Sequence, residues 1–161
     1  MKIRHIDHLN ITVKDLEESI DWYRRVFGFE VVQEGVSNNV PWAIIRGGDS
    51  MLCMYHHPEM EPVDKFGDVA GQYHHISHFG FRIEDRSKWL STMKREGLVS
   101  HYGPIEYPFS KSWYVFDPTG YEIEVSSWQN DEIRFPQFEK EAVYFFNNRS
   151  TCFGRFHFFF D

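Results

Sequence analysis

Three side chains in this sequence are of the types, and in the kind of places, that hold a divalent metal ion: His8, His78 and Glu124. In Ile6 to Val13 (IDHLNITV), alternation puts Ile6, His8, Asn10 and Thr12 on one face of an expected strand and Asp7, Leu9, Ile11 and Val13 on the other. A purely structural sheet would carry apolar residues on the His8 face. His78 holds the equivalent place in HISHFGFRI (His75 to Ile83), and YEIEVSSW sets Glu122, Glu124 and Ser126 on one face against Ile123 and Val125. A lone strand histidine is usually structural and a lone strand glutamate usually faces solvent. Here the two histidines sit at matching places of a repeated segment. Two neutral imidazoles and one carboxylate form the facial set of iron(II) oxygenases, and the same donors suit manganese, zinc, cobalt or nickel. Three protein donors leave coordination positions open for water or substrate.

The elements that position these residues recur twice along the chain. After the first strand, Asp15 opens DLEESIDWYRRVFGF, a helix with Leu16, Ile20, Tyr23 and Phe27 at helical spacing, acids in its first turn, arginines near its end and Gly28 as its stop. Strands are expected at Phe29 to Gln33, Trp42 to Arg46 and Met51 to His56, separated by GVSNNVP and GGDS turns. The pattern restarts at His75. Asp85 caps a helix over RSKWLSTMKREG with Trp89, Leu90 and Met93 inward and Gly97 at its end. Strands follow around Leu98 to Tyr102, Ser112 to Phe116 and Glu122 to Trp128, the last two joined by the turn Asp117-Pro118-Thr119-Gly120. The expected fold class is α+β: one domain over 1–130, with βαβββ modules at about 5–57 and 75–128, a linker between them and an aromatic-rich C-terminal extension over 131–161. Within the extension QFEKEAVYFFNN predicts a short helix, and the apolar tail ending in RFHFFFD is expected to pack on its own domain or at a dimer interface, with a lid over the pocket as the alternative.

Composition narrows the function further. The chain has 161 residues, 42% of them hydrophobic, enough to bury a core. A net charge of −7, with Lys and Arg scattered, disfavours a phosphate backbone, so nucleic acid is not an expected partner. No apolar run resembles a signal peptide or a membrane span, which places the expected location in the cytoplasm. Cys53 and Cys152 match no zinc spacing and are expected as free thiols, and Asn148-Arg149-Ser150 is an incidental glycosylation pattern. Sixteen Phe, eight Tyr and five Trp supply either a core or a lined pocket.

IDHLNITVKDLEESIDWYRRVFGFEV, SHFGFRIED and WYVFDPTGYEIEV resemble the three signature stretches of the vicinal-oxygen-chelate superfamily, which includes glyoxalases, bleomycin-resistance proteins and extradiol dioxygenases. The resemblance covers roughly 5–128 and leaves the tail unexplained. It implies a glyoxalase-like fold, in which paired βαβββ modules form a curved mixed sheet around a cleft, and one divalent metal held by the first strand of each module and the last strand of the second. Those places are His8, His78 and Glu124. It also implies a homodimer and a small-molecule substrate. Many relatives have a fourth donor on the last strand of module one, where glyoxalase I has a glutamate. Here MLCMYHH offers only Cys53, Met54 or His56, which weakens the four-ligand isomerase reading. His74 and His75 are an alternative register for His78, which its HFGFRI context favours.

The reaction is less legible. Tyr114 to Glu124 completes the Tyr-x-x-Asp-Pro-x-Gly-x-x-x-Glu pattern of extradiol dioxygenases, but Glu106 and Tyr107 stand where their acid–base histidine would be. Ser112, Trp113 and Tyr114 are similar to fosfomycin-modifying thiol transferases, yet the upstream cation and phosphonate ligands fall at Pro104 and Pro108, with Lys111 and Arg134 as imperfect substitutes. Candidate proton handlers are Tyr107, Tyr114, Glu106 and His101; Trp42, Phe81, Trp113 and Trp128 could line an apolar wall, with core packing as their default role. The expected activity is dioxygenase- or glyoxalase-like lyase or isomerase chemistry on an aromatic or otherwise bulky, oxygen-rich molecule chelated through two oxygens. The opposing reading is a metal-free, bleomycin-type drug-binding protein, for which the acidic charge is suited to a cationic drug. Such a binder has no reason to keep His8, His78 and Glu124.

Overall fold

The computed structural model describes residues 1–60 and 76–135. Its first module runs β1 (Leu9–Val13), α1 (Leu16–Phe27), β2 (Glu30–Ser37), β3 (Val40–Gly47) and β4 (Ser50–His56). The Asp15 carboxylate accepts the Glu18 backbone N–H at 2.9 Å, and Gly28 closes α1 at φ 72°, a left-handed turn that costs glycine little. β2 continues four residues beyond the expected Gln33, because Asn38 and Asn39 both adopt positive φ (53° and 65°). They form a two-residue hairpin turn in which Ser37 pairs with Val40.

The second module repeats the order with β5 (Phe79–Arg82), α2 (Arg86–Glu96), β6 (Ile105–Glu106), β7 (Ser110–Phe116) and β8 (Glu122–Trp128). The strand expected around Leu98 to Tyr102 is instead an approach to a turn. Gly103 donates its N–H to the Ser100 carbonyl at 3.0 Å, the Ser100 hydroxyl donates to the Gly103 carbonyl at 3.0 Å, and the edge strand forms only at Ile105–Glu106. Serine and glycine turn chemistry competes with the ladder there.

The strands form two four-stranded sheets, ordered β1-β4-β3-β2 and β5-β8-β7-β6. β1 is parallel to β4 and β5 to β8, while the other neighbours are antiparallel. The same mixed topology is thus built twice, an α+β architecture as expected. One face of each sheet belongs to the core: Ile11, Val13, Ala43, Ile45, Leu52 and Met54 in the first, Trp113, Val115, Ile123 and Val125 in the second, all buried. α1 adds Trp22, Tyr23 and Val26, with Leu16, Ile20 and Phe27 partly buried. α2 differs from expectation. It buries Trp89 and Thr92, whereas Leu90 is 48% exposed, because the Trp89–Thr92–Met93 stripe leaves Leu90 about 100° out of line.

The modules join through these helix sides. Phe27 stacks on Trp89 with ring centroids 5.6 Å apart and touches Phe81 at 5.0 Å, which makes Phe81 a core residue and not a cleft wall. The buried Tyr23 phenol donates to Asp117 Oδ2 at 3.0 Å across the seam, and Arg25 meets Glu96 at 3.1 Å. No helix among the described residues is long and apolar enough to cross a membrane. The linker from residue 61 onward, His74, His75, the helix expected in QFEKEAVYFFNN, the aromatic tail and Cys152 lie outside the described residues.

Candidate functional site

Because the helix-facing side of each sheet carries the core, the polar side chains that could do chemistry fall on the opposite side. Pairing there is repeated. Asn10 pairs with Cys53 across β1–β4 as Gly80 pairs with Glu124 across β5–β8, so Cys53 is the counterpart of Glu124, and Met51 that of Glu122. Continuing across each sheet, Ile44 corresponds to Tyr114 and Trp42 to Ser112. The two open faces therefore differ in character. That of module one presents the partly exposed Trp42, Ile44, Met51, Cys53 and Tyr55, and that of module two presents Glu122, Glu124, Ser112, Ser126 and Tyr114.

On module two, His78 and Glu124 come together. His78 lies one residue before β5, not in mid-strand, and its Nε2 is 3.3 Å from Glu124 Oε2. Ser112 and Ser126 both donate to the other carboxylate oxygen, Oε1, at 2.6 and 3.0 Å. Those hydroxyls orient the carboxylate so that Oε2 is left for the imidazole side. Two donors each about 2.1 Å from one ion, at angles of roughly 90–109°, stand about 3.0–3.4 Å apart, so this pair has the spacing to share a cation. Glu122 lies on the same face with its side chain only 1% exposed, and its Oε2 is 3.8 Å from His78 Nδ1. Tyr102 hydrogen-bonds to Glu122.

Two of the candidate proton handlers adjoin this pair. Tyr114 is the cross-strand neighbour of Glu124, its ring meets His78 edge-on at 5.6 Å, and its hydroxyl is 3.4 Å from that of Tyr107. Burial, followed by the hydrogen bond with Tyr107, pushes the Tyr114 phenol well above its ordinary value, so it remains an O–H donor at neutral pH. Tyr107 is 39% exposed and links the pair to solvent. The other two candidates sit elsewhere. Glu106 forms an ion pair with Lys111, and His101 packs against Tyr102 and Phe116 with centroids 4.7 and 5.4 Å away. Arg134 stacks over Phe109 at 4.5 Å.

His8 belongs to module one. It immediately precedes β1, is about half exposed, and its Nδ1 lies 2.9 Å from Asp7 Oδ2. Among the described residues, no three or more His, Cys, Asp or Glu side chains gather closely enough to hold one ion. Two of the three fourth-donor candidates are otherwise engaged: Met54 is fully buried in the core, and His56 Nδ1 accepts the Leu16 N–H at 3.3 Å. Cys53 stays on the open face, its thiol pushed up by burial and by the charge of Asp7. Among the proposed wall residues, Trp113 is core at 2% exposure, Trp42 is half-buried on the open face, and Trp128 packs on Phe135 at 5.6 Å.

No sequence motif places Ser126, Glu122 and Tyr102 around His78 and Glu124. Ser112 enters the sequence motifs only through the Ser112-Trp113-Tyr114 stretch, which points to a different chemistry. Alternation along YEIEVSSW already places Glu122, Glu124 and Ser126 on one face, but the strand that brings Ser112 opposite Ser126 is not a local property.

The chain is similar to a catechol-2,3-dioxygenase of Bacillus subtilis (strain 168), 26% identical over 136 residues, covering 79% of this chain and spanning 45% of that protein. A lactoylglutathione lyase of Neisseria meningitidis serogroup A is also 26% identical, over 125 residues that cover 73% of this chain and 86% of the relative. Among solved structures, a glyoxalase family protein from Enterococcus faecalis has the same fold, with a TM-score of 0.64 at 19% identity over 78% of this chain and 99% of its own. The family model described as Glyoxalase/Bleomycin resistance protein/Dioxygenase superfamily matches residues 5–125, from the approach to β1 into the strand that carries Glu124, and the chain belongs to that superfamily.

Proposed function

We propose that this chain is a divalent-metal-dependent enzyme that binds a small, oxygen-rich molecule, aromatic or otherwise bulky, through two neighbouring oxygens. The observation that carries this reading is the His78 Nε2–Glu124 Oε2 spacing of 3.3 Å, with both serine hydroxyls turned to Oε1. His8 is the third donor. Since His8 stands on the other module, and the modules of one chain join through their helix sides, it comes from a second copy in a homodimer. In that arrangement module one of one copy closes over module two of the other, and the half-exposed Trp42, Ile44 and Tyr55 give the cleft its apolar wall. Residues 1–130 are the catalytic domain in this reading, and 131–161 an extension.

The bound ion would supply Lewis acidity and open positions for the substrate oxygens. The chain's own residues do the rest. Ser112 and Ser126 hold the Glu124 carboxylate in one orientation, and Tyr114 keeps its proton beside it. Tyr107, within 3.4 Å of Tyr114, can exchange that proton with solvent, which suits dioxygenase- or glyoxalase-like lyase or isomerase chemistry.

Metal content measured by mass spectrometry on untagged protein, beside His78→Ala, tests the reading. Near-stoichiometric metal that is lost in the variant is expected. Metal absent from both, even after reconstitution, refutes it and favours a metal-free binding protein.

A further inference from the structure

The residue with the most unusual surroundings is Glu122, a carboxylate buried to 1% side-chain exposure on the floor of the module-two face. A buried charge is costly unless specific partners compensate it. Sheet architecture does not call for it: at the corresponding position of module one, with the same strand order and register, stands Met51. Its partners are Tyr102, which hydrogen-bonds to it, and the Nδ1 side of His78 at 3.8 Å. His78 is thus flanked by two carboxylates, Glu122 toward Nδ1 and Glu124 toward Nε2.

The same arrangement occurs around the other histidine, although the carboxylate comes from a different place. His8 has Asp7 at 2.9 Å from its Nδ1. Each module therefore places a carboxylate on the Nδ1 side of its histidine, once from the adjacent residue and once from the neighbouring strand. A neutral imidazole carries one proton, and a carboxylate beside a nitrogen draws it there; at His78 Glu122 and Glu124 pull on opposite nitrogens, and a cation taken up between Nε2 and Glu124 needs the proton on Nδ1.

We propose that Glu122, held by Tyr102, is the positioning residue of His78: from the Nδ1 side it favours the proton on Nδ1 against the pull of Glu124 on Nε2, and so frees the Nε2 lone pair for a cation shared with Glu124. Asp7 has the corresponding role for His8. The inference rests on the reading of His78 as a metal donor, and adds the residue that fixes the tautomer and orientation of that donor.

The test uses the full chain, nitrogen-15 labelled and metal-free, in mildly alkaline buffer where imidazole is neutral. Long-range proton–nitrogen correlation spectra report the tautomer of each histidine, with His78 assigned by its loss in His78→Ala. Wild type is expected to show a larger share of Nδ1–H at His78 than a variant without the Glu122 carboxylate. Glu122→Met, which installs the module-one residue, is expected to shift His78 toward Nε2–H. It should also weaken zinc, read by chelator competition, by about 10–100-fold. Glu122→Gln, which keeps the shape and an acceptor oxygen, should recover most of both. Melting curves of the metal-free variants establish that they fold; if Glu122→Met does not, Glu122→Gln must still weaken zinc several-fold. An unchanged tautomer, or zinc affinity within about twofold of wild type in the folded variant, overturns the proposal. Zinc that binds to none of the proteins, wild type included, overturns the metal reading instead, and the tautomer then decides the role of Glu122 by itself.

Discussion

The proposed sharing of the site between two copies makes a quantitative prediction. His8→Ala and Glu124→Ala each remove one donor, on opposite modules, so each variant homodimer contains two damaged sites. When the two variants are mixed and allowed to exchange subunits, the mixed dimer is different. One of its sites combines the intact His8 of one copy with the intact His78 and Glu124 of the other, and its second site lacks both donors. Random exchange at equal concentration makes half of the dimers mixed, each with one intact site of two, so about one quarter of the wild-type metal capacity returns. The structural reason is the seam. Tyr23 reaches Asp117 at 3.0 Å and Phe27 stacks on Trp89 at 5.6 Å, and these contacts tie the modules of one chain together on the side away from His78 and Glu124. The assay is bound zinc per chain after gel filtration of the co-refolded mixture, against each variant alone. Variants that bind no metal separately and still none when mixed would refute the shared site, since a site built within one chain cannot be restored by exchange. Full metal in His8→Ala alone would remove His8 from the donor set.

Three further outcomes follow from the same geometry. Tyr23→Phe deletes a buried hydrogen bond to a carboxylate and should cost about 1.5–3 kcal/mol in urea unfolding, while a loss below about 0.5 kcal/mol would mean that the seam does not depend on it. Burial raises the Asp117 carboxyl above its ordinary 3.8, outweighing the backbone N–H groups and the Tyr23 phenol that lower it. The folded chain therefore keeps that proton to higher pH than the unfolded chain does. The stability this group contributes is present below pH 3.8 and is lost as pH rises through the folded value. The stability of wild type relative to Asp117→Asn should accordingly fall as pH rises from 3.8, and a pH-independent difference would contradict the burial argument. Ser112→Ala removes the 2.6 Å hydrogen bond that orients Glu124 and should weaken zinc by about tenfold with little change in the melting temperature of the metal-free protein. Unchanged affinity would show that Ser126 alone sets the carboxylate.

Much of the architecture is written in local patterns. The two helices are legible because their start and stop signals are local: Asp15 and Asp85 each accept the N–H three residues on, and Gly28 and Gly97 each end a helix in the left-handed region. β8 was readable to the residue, since period-two alternation in YEIEVSSW is a backbone property. Where local signals conflict, the reading failed. Ser100 and Gly103 turned an expected strand into a turn, and Leu90 proved to be outside the stripe that α2 buries.

For the site, the sequence alone determined the types of the candidate donors and which residues share a face within a strand, because alternation orders side chains along a single strand. It could not determine which face is open or what lies across from Glu124. Those depend on where the helices pack and on inter-strand register, which join residues far apart in the chain: Ser112 with Ser126, Tyr102 with Glu122, His78 with Glu124. Only the tertiary structure separated His8 from the other two candidate donors, because matching positions in a repeat mark equivalence and not proximity. The packing of Phe27, Trp89 and Tyr23 across the seam decides proximity, and no single segment contains it.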